Sequence, residues 1–151
     1  MEMKGEYTIP ASRAAVWAAL NDVAVLKAAI PGCDSIARLS ETEIEATVTA
    51  KVGPVKASFK GLVTLSDLDP PNGYTIRGEG KGGVAGFAKG GAKVRLAEGP
   101  AGTVLSYDVD AAVGGKLAQL GGRLIDSTAK KLADEFFASF SKLAAGSETA
   151  A

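Results

Sequence analysis

The sequence predicts an α+β fold in which an antiparallel sheet wraps one long helix, in the order β-α-α-β6-α. Three observations carry this. From Glu43 to Val113 the chain is a nearly unbroken series of alternating strands. It then enters one amphipathic helix, Gly115 to Leu143, which at ~1.5 Å per residue spans roughly 44 Å. At 151 residues the chain is one domain, a size that buries about 68–70% of its unfolded surface. Strands alone cannot bury their apolar face, so the helix must lie across them. Whether the space between is solid or hollow is the functional question.

Each element follows from its residues. Glu2–Ile9 alternates, with Met3, Gly5, Tyr7 and Ile9 on one face, and reads as a strand that Pro10 ends. Ser12 caps a short helix carrying Val16, Trp17 and Leu20; Asn21-Asp22 breaks it and caps a second with Val23, Leu26 and Ile30, stopped by Pro31-Gly32. Ser35–Leu39 is a short strand. In Ile44–Val52 the even positions are apolar and the odd ones polar. Gly53-Pro54 then turns the chain into Val55–Leu65, setting Val52 opposite Val55, Ala50 opposite Ala57 and Val48 opposite Phe59. Asp69-Pro70-Pro71-Asn72-Gly73 is a turn, Tyr74–Gly80 a strand, and Gly82–Gly91 a glycine-rich connection. Ala92–Ala97 and Leu105–Ala111 form the last pair around Gly99–Gly102, with Leu96 facing Leu105, Val94 facing Tyr107 and Lys93 facing Asp108. The strands number seven. Leu117, Leu120, Leu124, Thr128, Leu132, Phe136 and Phe140 mostly step by four, so the helix stripe drifts roughly 40° per step. Its first half is expected to cover the sheet and its second half the two short helices. One domain over residues 1–145 and a disordered tail over 146–151 are expected.

Composition removes much chemistry. Lys+Arg and Asp+Glu are both 17, and no basic block offers nucleic acid a footprint. There is no histidine, hence no Ser-His-Asp triad and no usual zinc ligand, and no metal site is expected. Cys33 is the single cysteine, so no internal disulfide exists, and it reads as a small buried hydrophobe. No signal-like run opens the chain and no segment is apolar enough to span a bilayer; a cytoplasmic chain is expected. Gly78-Glu79-Gly80-Lys81-Gly82-Gly83 fits a dinucleotide fingerprint, but a strand rather than a helix follows it.

In an antiparallel series alternate turns share an end. One end receives Ser40–Thr42, Asp67–Gly73 and Glu98–Gly102, all polar. The other receives Pro31–Cys33, Val52–Val55, Gly82–Gly91 and Val113–Lys116, and is apolar and glycine-rich. Those glycines admit two readings: bulges that let a sheet curl, or a flexible mouth to a cavity. Gly121 and Gly122, each costing a helix about 1 kcal/mol relative to Ala, favour the mouth, because a softened helix start can move as a lid. Phe59, Ile76, Val94, Tyr107 and Leu124 fall on the inward face, either as plain core or as cavity walls. Trp17 reads as core. Arg77, Glu79, Lys81, Asp108 and Asp110 read as a solvated outer face.

The ordered set Val16-Trp17, Leu20-Asn21-Asp22, Ile30-Pro31-Gly32-Cys33, Lys51-Val52-Gly53-Pro54-Val55, Asp69-Pro70-Pro71, Gly78-Glu79-Gly80, Gly86-Phe87-Ala88-Lys89-Gly90, Val113–Gly121 and Arg123-Leu124-Ile125-Asp126 resembles the carbon monoxide dehydrogenase G-subunit family, within the START-like, Bet v 1-like (SRPBCC) superfamily. The resemblance runs from about Met3 to Leu143. It implies a helix-grip fold, a seven-stranded antiparallel sheet around the C-terminal helix and an apolar cavity. It also implies a non-enzymatic role beside a carbon monoxide dehydrogenase-type molybdenum enzyme, linked to the inner face of the cell membrane and to the respiratory chain. Many members carry an apolar C-terminal anchor; none follows Leu143 here, so contact through the mouth is expected instead. The implied walls are Phe59, Ile76, Val94, Tyr107 and Leu124, and the implied mouth is Ile30, Val52, Phe87, Leu117 and Leu120. The expected occupant is a lipid-like or quinone-like molecule, with no catalytic residue and no tightly held cofactor. Two alternatives stand beside this: an aromatase/cyclase-like enzyme, which needs ionisable groups inside the cavity, and a ligand-free protein adaptor.

Overall fold

The computed structural model describes residues 1–150, with side chains to 146. The expected tail at 146–151 lies, but for Gly146, outside the residues described in full. The strands are β1 (Glu2–Ile9), β2 (Cys33–Arg38), β3 (Glu43–Val52), β4 (Val55–Asp69), β5 (Gly73–Lys81), β6 (Phe87–Gly99) and β7 (Gly102–Gly114). They form one sheet in the order β1-β7-β6-β5-β4-β3-β2, each neighbour antiparallel. Two short helices, α1 (Arg13–Leu20) and α2 (Val23–Ala29), follow β1. Ser12 Oγ accepts from Ala15 N at 3.2 Å and the Asp22 carboxylate from Ala24 N at 2.9 Å, so both expected caps form.

The registers agree with the alternation. Val52 pairs with Val55, Ala50 with Ala57 and Val48 with Phe59; across the last hairpin Leu96 pairs with Leu105, Val94 with Tyr107 and Lys93 with Asp108. The Asp108 carboxylate reaches sideways to Lys4, at 3.7 Å.

Two expectations need correction. The glycine-rich connection is shorter than Gly82–Gly91, because β6 starts at Phe87 and pairs through Gly90 and Gly91. Gly90 lies so close to β7 that a Cβ there would strike the Asp110 carbonyl; glycine lets the strand pass. Only a 3₁₀ turn, Gly83–Ala85, remains between β5 and β6. The last helix is also not continuous from Gly115. One turn, α3 (Lys116–Gln119), is separated from α4 (Gly122–Ala150) by Gly121 at φ +90°. The left-handed backbone, natural only to glycine, ends one helix and re-aims the next.

The core sits at the polar-turn end. Ile9, Val16, Leu20, Ile44, Leu65, Tyr74, Val94, Leu96, Leu105 and Phe140 form one buried cluster. Trp17 packs edge-on to Tyr74, ring centres 5.4 Å apart. Helix α4 packs chiefly on α1 and α2 and, at the sheet, on β1 and β3. Its aromatic face joins the sheet: Phe137 stacks on Tyr7 at 4.3 Å and Tyr107 at 5.6 Å. The turns at this same end are tied as well. Arg13 donates to Asn72 Oδ1 at 2.8 Å, and buried Thr103 donates to the Ala11 carbonyl at 2.8 Å.

Phe140 is fully buried and clamps α4 to this core. Phe140→Ala is expected to cost ~3–5 kcal/mol, read by denaturant unfolding. Burial pushes the Tyr74 phenol up to about 12. The fold favours its neutral form, so this stabilisation is complete below the ordinary phenol value of ~10 and lost as pH rises through about 12. Wild type therefore loses stability across that interval, and Tyr74→Phe loses less, in unfolding curves taken at each pH.

Candidate functional site

The concave face is filled unevenly. Moving along β6 from the polar end, the inward residues are Leu96 and Val94, both buried, then Ala92, Gly90 and Ala88, all half-exposed. Beyond them, at the glycine-rich rim, burial resumes. Val52, Ala85 and Leu117 are buried but stand outside the contiguous core. Two apolar centres thus flank a strip of very small side chains.

That strip is a hollow. A recess of about 280 Å³ is lined by Ile76, Gly78, Ala88, Gly90, Ala92, Val109 and Ala111, with backbone from Lys89 and Gly91. A second, of about 350 Å³, adjoins it at Ala111 and runs under the start of α4, between Val113, Ala118, Gly121, Gly122 and Ile125, with Met1 and Asp126 at its border. Together they fall within the range of small-molecule sites, about 300–1,000 Å³.

The glycines on this face divide by cause. Gly5 lies under the Tyr107 ring, which a Cβ would strike, and Gly90 lies against β7; both are steric necessities. Gly78 and Gly80 are not. Neither has a positive φ, and the nearest atoms to an added Cβ are Val63 Cγ2 at 3.4 Å and Phe59 Cβ at 3.9 Å. A strand-interior glycine without steric need weakens the strand. What these two supply is empty volume on the inward face.

The expected wall residues are spread along this feature. Ile76 lines the hollow and Val94 closes its inner end from the core. The Phe59 ring lies flat on Gly82, where a Cβ would stand 2.5 Å from it, near the rim. Leu124 lies on the β3–β4 turn, 2.7 Å from where a Gly53 Cβ would sit. Tyr107 is engaged in the stack with Tyr7 and Phe137. At the mouth, Val52 and Leu117 are buried in the rim cluster, while Ile30 and Leu120 are half-buried caps of α2 and α3. Phe87 corrects the expectation. It alternates with inward Ala88, so its ring lies on the convex face, over Gly114 and 6.0 Å from Lys89 Nζ. The residues missing from the expected set are Gly78, Ala88, Gly90, Ala92, Val109 and Ala111. Their signal was present as small residues at inward positions, but bulk is what marks a wall in a sequence.

The chemistry available is limited. The first recess is lined almost wholly by small apolar residues, with Lys89 its one charged neighbour, and Asp126 is the one charged side chain bordering the second. Among the described residues no group of Cys, Asp and Glu can hold a metal. Burial pushes the Cys33 thiol up, away from a reactive thiolate. The Tyr7 hydroxyl donates to Asp134, which also accepts from Lys130 Nζ at 3.2 Å. Those two bonds, Tyr7 first, hold the Asp134 carboxyl below its usual range, and burial together with that acceptor raises the phenol. This pair ties α4 to β1. The hollow is open to solvent and offers mainly apolar surface. Among the described residues no helix is long and apolar enough to cross a membrane.

Comparison with known proteins agrees with this geometry. Residues 5–145 match the family model described as CoxG, the G-subunit of carbon monoxide dehydrogenase. A conserved protein from Geobacillus kaustophilus superposes with a TM-score of 0.91 at 29% identity, over 97% of both chains. Ara h 8.0201 superposes at 0.67, with 16% identity, over 95% of this chain and 97% of that one. The Zhui aromatase/cyclase from a Streptomyces species superposes at 0.66, with 14% identity, over 95% and 93%. The two last likenesses establish the helix-grip, Bet v 1-like fold. No curated protein matches.

Gly80→Ala separates volume from stability. The added methyl meets nothing closer than 3.9 Å, so stability is expected to rise by about 0.4–1 kcal/mol. Gly78→Leu, at a position that lines the hollow, is expected to cut uptake of a fluorescent apolar probe severalfold. Melting curves and probe titration read the two effects.

Proposed function

The chain belongs to the carbon monoxide dehydrogenase G-subunit family, and on that footing we propose that it is a non-catalytic binding protein holding a lipid-like or quinone-like molecule in the hollow. Its service is to a carbon monoxide dehydrogenase-type molybdenum enzyme, as an accessory in membrane recruitment or in electron-transfer coupling. The observation that carries this reading is the strip of Gly78, Ala88, Gly90, Ala92 and Ala111 between two packed apolar centres. Apolar surface kept open at a cost in strand stability has a use only when something else covers it. At about 25 cal/mol per Å² an apolar guest gains its affinity from burial, and the first recess is lined almost wholly by apolar atoms.

Entry would pass α3. This single turn lies between Gly115 at φ +70° and Gly121 at φ +90°, and Leu117 is its one buried side chain. Swinging it out exposes that leucine and little else. An aromatase/cyclase chemistry would need an acid or base facing the substrate. Tyr7 and Tyr107 are committed to the aromatic stack and to Asp134, and Asp126 stands only at the border of the second recess.

Native mass spectrometry of the purified chain, followed by organic extraction, is expected to release an apolar molecule. Delipidated protein is expected to take up an apolar fluorescent probe with saturation. Ala92→Phe places a ring in the recess and is expected to lower that uptake at least tenfold, while overpacking costs at most ~1–3 kcal/mol. Empty protein that also ignores the probe would sink the proposal.

A further inference from the structure

Net charge is zero, yet charge is not evenly placed. At the polar-turn end Glu41, Glu43, Asp67, Asp69 and Glu98 outnumber Arg13, Arg38 and Arg95, of which Arg13 pairs with Glu98 and Arg95 with Asp69. The glycine-rich rim instead carries Lys51 and Lys56, directly paired across the β3–β4 hairpin, then Lys81 ending β5, Lys89 in β6, Lys116 opening α3 and Arg123 in the first turn of α4. Lys81 is loosely held by Glu79 at 3.9 Å. Lys51, Lys56, Lys116 and Arg123 have no ion pair among the described residues. Two acids stand at this end, Asp126, one turn after Arg123, and Asp34, which accepts from Thr49 Oγ1 at 2.6 Å.

These segments form one continuous lip. The turn at Gly53 touches Leu124 of α4; Gly115, before α3, is packed against Gly86 of the β5–β6 connection; Gly82 of that connection lies under Phe59 of β4. From the lip projects Val84, 86% exposed, the most exposed large apolar side chain described. Its neighbour Gly83 has nothing within 4 Å of an added Cβ, so the tip stands clear.

We propose that this lip docks on an anionic phospholipid surface, with Val84 entering the acyl boundary and Lys51, Lys56, Lys116 and Arg123 among the headgroup phosphates. An apolar tip ringed by unpaired cations is the pattern of interfacial binding. The opposite end, where acids outnumber arginines, turns away from the same surface, which biases orientation without net charge. The hollow then opens toward the membrane. Docking in this pose deepens the carrier reading by assigning the face through which an apolar guest is exchanged, and rests on that reading only for this purpose.

The test is vesicle flotation of the full chain after delipidation, using phosphatidylcholine vesicles with or without phosphatidylglycerol. Binding is expected only with the anionic lipid and should weaken as salt screens the contacts. The triple variant Lys51→Glu, Lys56→Glu, Lys116→Glu should bind more than about 100-fold more weakly, at roughly fivefold or more per cation. Val84→Asp should bind severalfold more weakly. Lys93→Glu, Lys131→Glu, Lys142→Glu makes the same charge change off the lip and should retain most binding. Should the triple variant unfold, Lys51→Glu alone carries the test. Equal binding to neutral vesicles, no flotation at low salt, or equal loss in the off-lip control overturns the proposal. A lip that instead binds an acidic protein surface would appear as no flotation. Probe uptake, measured on the same samples, reports the hollow separately. Flotation without uptake would sink the carrier alone, and uptake without flotation would sink the lip alone.

Discussion

The whole molecule depends on one mismatch: α4 is gripped firmly at one end of a curved sheet and stands off from it at the other. Phe136, Phe137 and Phe140 drive the helix into the sheet near Tyr7, Tyr107 and Leu105. Between that grip and the rim, where Leu124 meets the β3–β4 turn, the inward face of β5 and β6 offers chiefly glycine and alanine. Core packing elsewhere is dense enough that one missing methylene is felt. A run of inward positions of minimal size in adjoining strands therefore cannot be read as a packing accident. They exchange stability for room.

Stability is concentrated accordingly. The polar-turn end holds the contiguous core, the Arg13 link to Asn72 and the Thr103 bond to Ala11. The rim end has a small cluster of Val52, Ala85 and Leu117 and a sequence of glycine contacts. Regions with few buried apolar contacts open at lower free energy than the global transition. The same chain thus has a rigid clamp and a soft doorway, and the division falls across the strands rather than between domains.

Much of this was legible in the sequence, and the reason is period. Strict alternation with a two-residue turn at Gly53-Pro54 leaves one register that keeps both apolar faces together, and β3–β4 has it. The same held for Leu96 and Leu105. The sorting of turns into a polar and a glycine-rich end followed from antiparallel order alone. The break in the last helix was not legible, because Gly121-Gly122 lies inside an apolar repeat that continues past it, and only φ shows which glycine is left-handed. Phe87 falls on the wrong face in a sequence reading because Gly90-Gly91 hides the start of β6, and parity decides the face. The small residues of the hollow go unmarked because alanine and glycine carry no periodic signal, although their inward parity was available.

The doorway's energetics can be bounded from its parts. α3 is a single turn, far below the length at which a helix stands alone, and both glycines beside it already occupy backbone states open to them at no steric cost. What holds it shut is mainly Leu117, 4% exposed, whose burial is worth ~1.5–3 kcal/mol. A gap of a few kcal/mol leaves an open form at roughly 0.1–10%, reached on the microsecond to millisecond scale of small lid motions. An apolar surface brought against the lip would lower that gap, since Leu117 would then leave one greasy environment for another. The doorway is thus closed in water by the force that lipid removes, and Lys116, next to Leu117 on the same turn, places that leucine where an anionic surface would meet it.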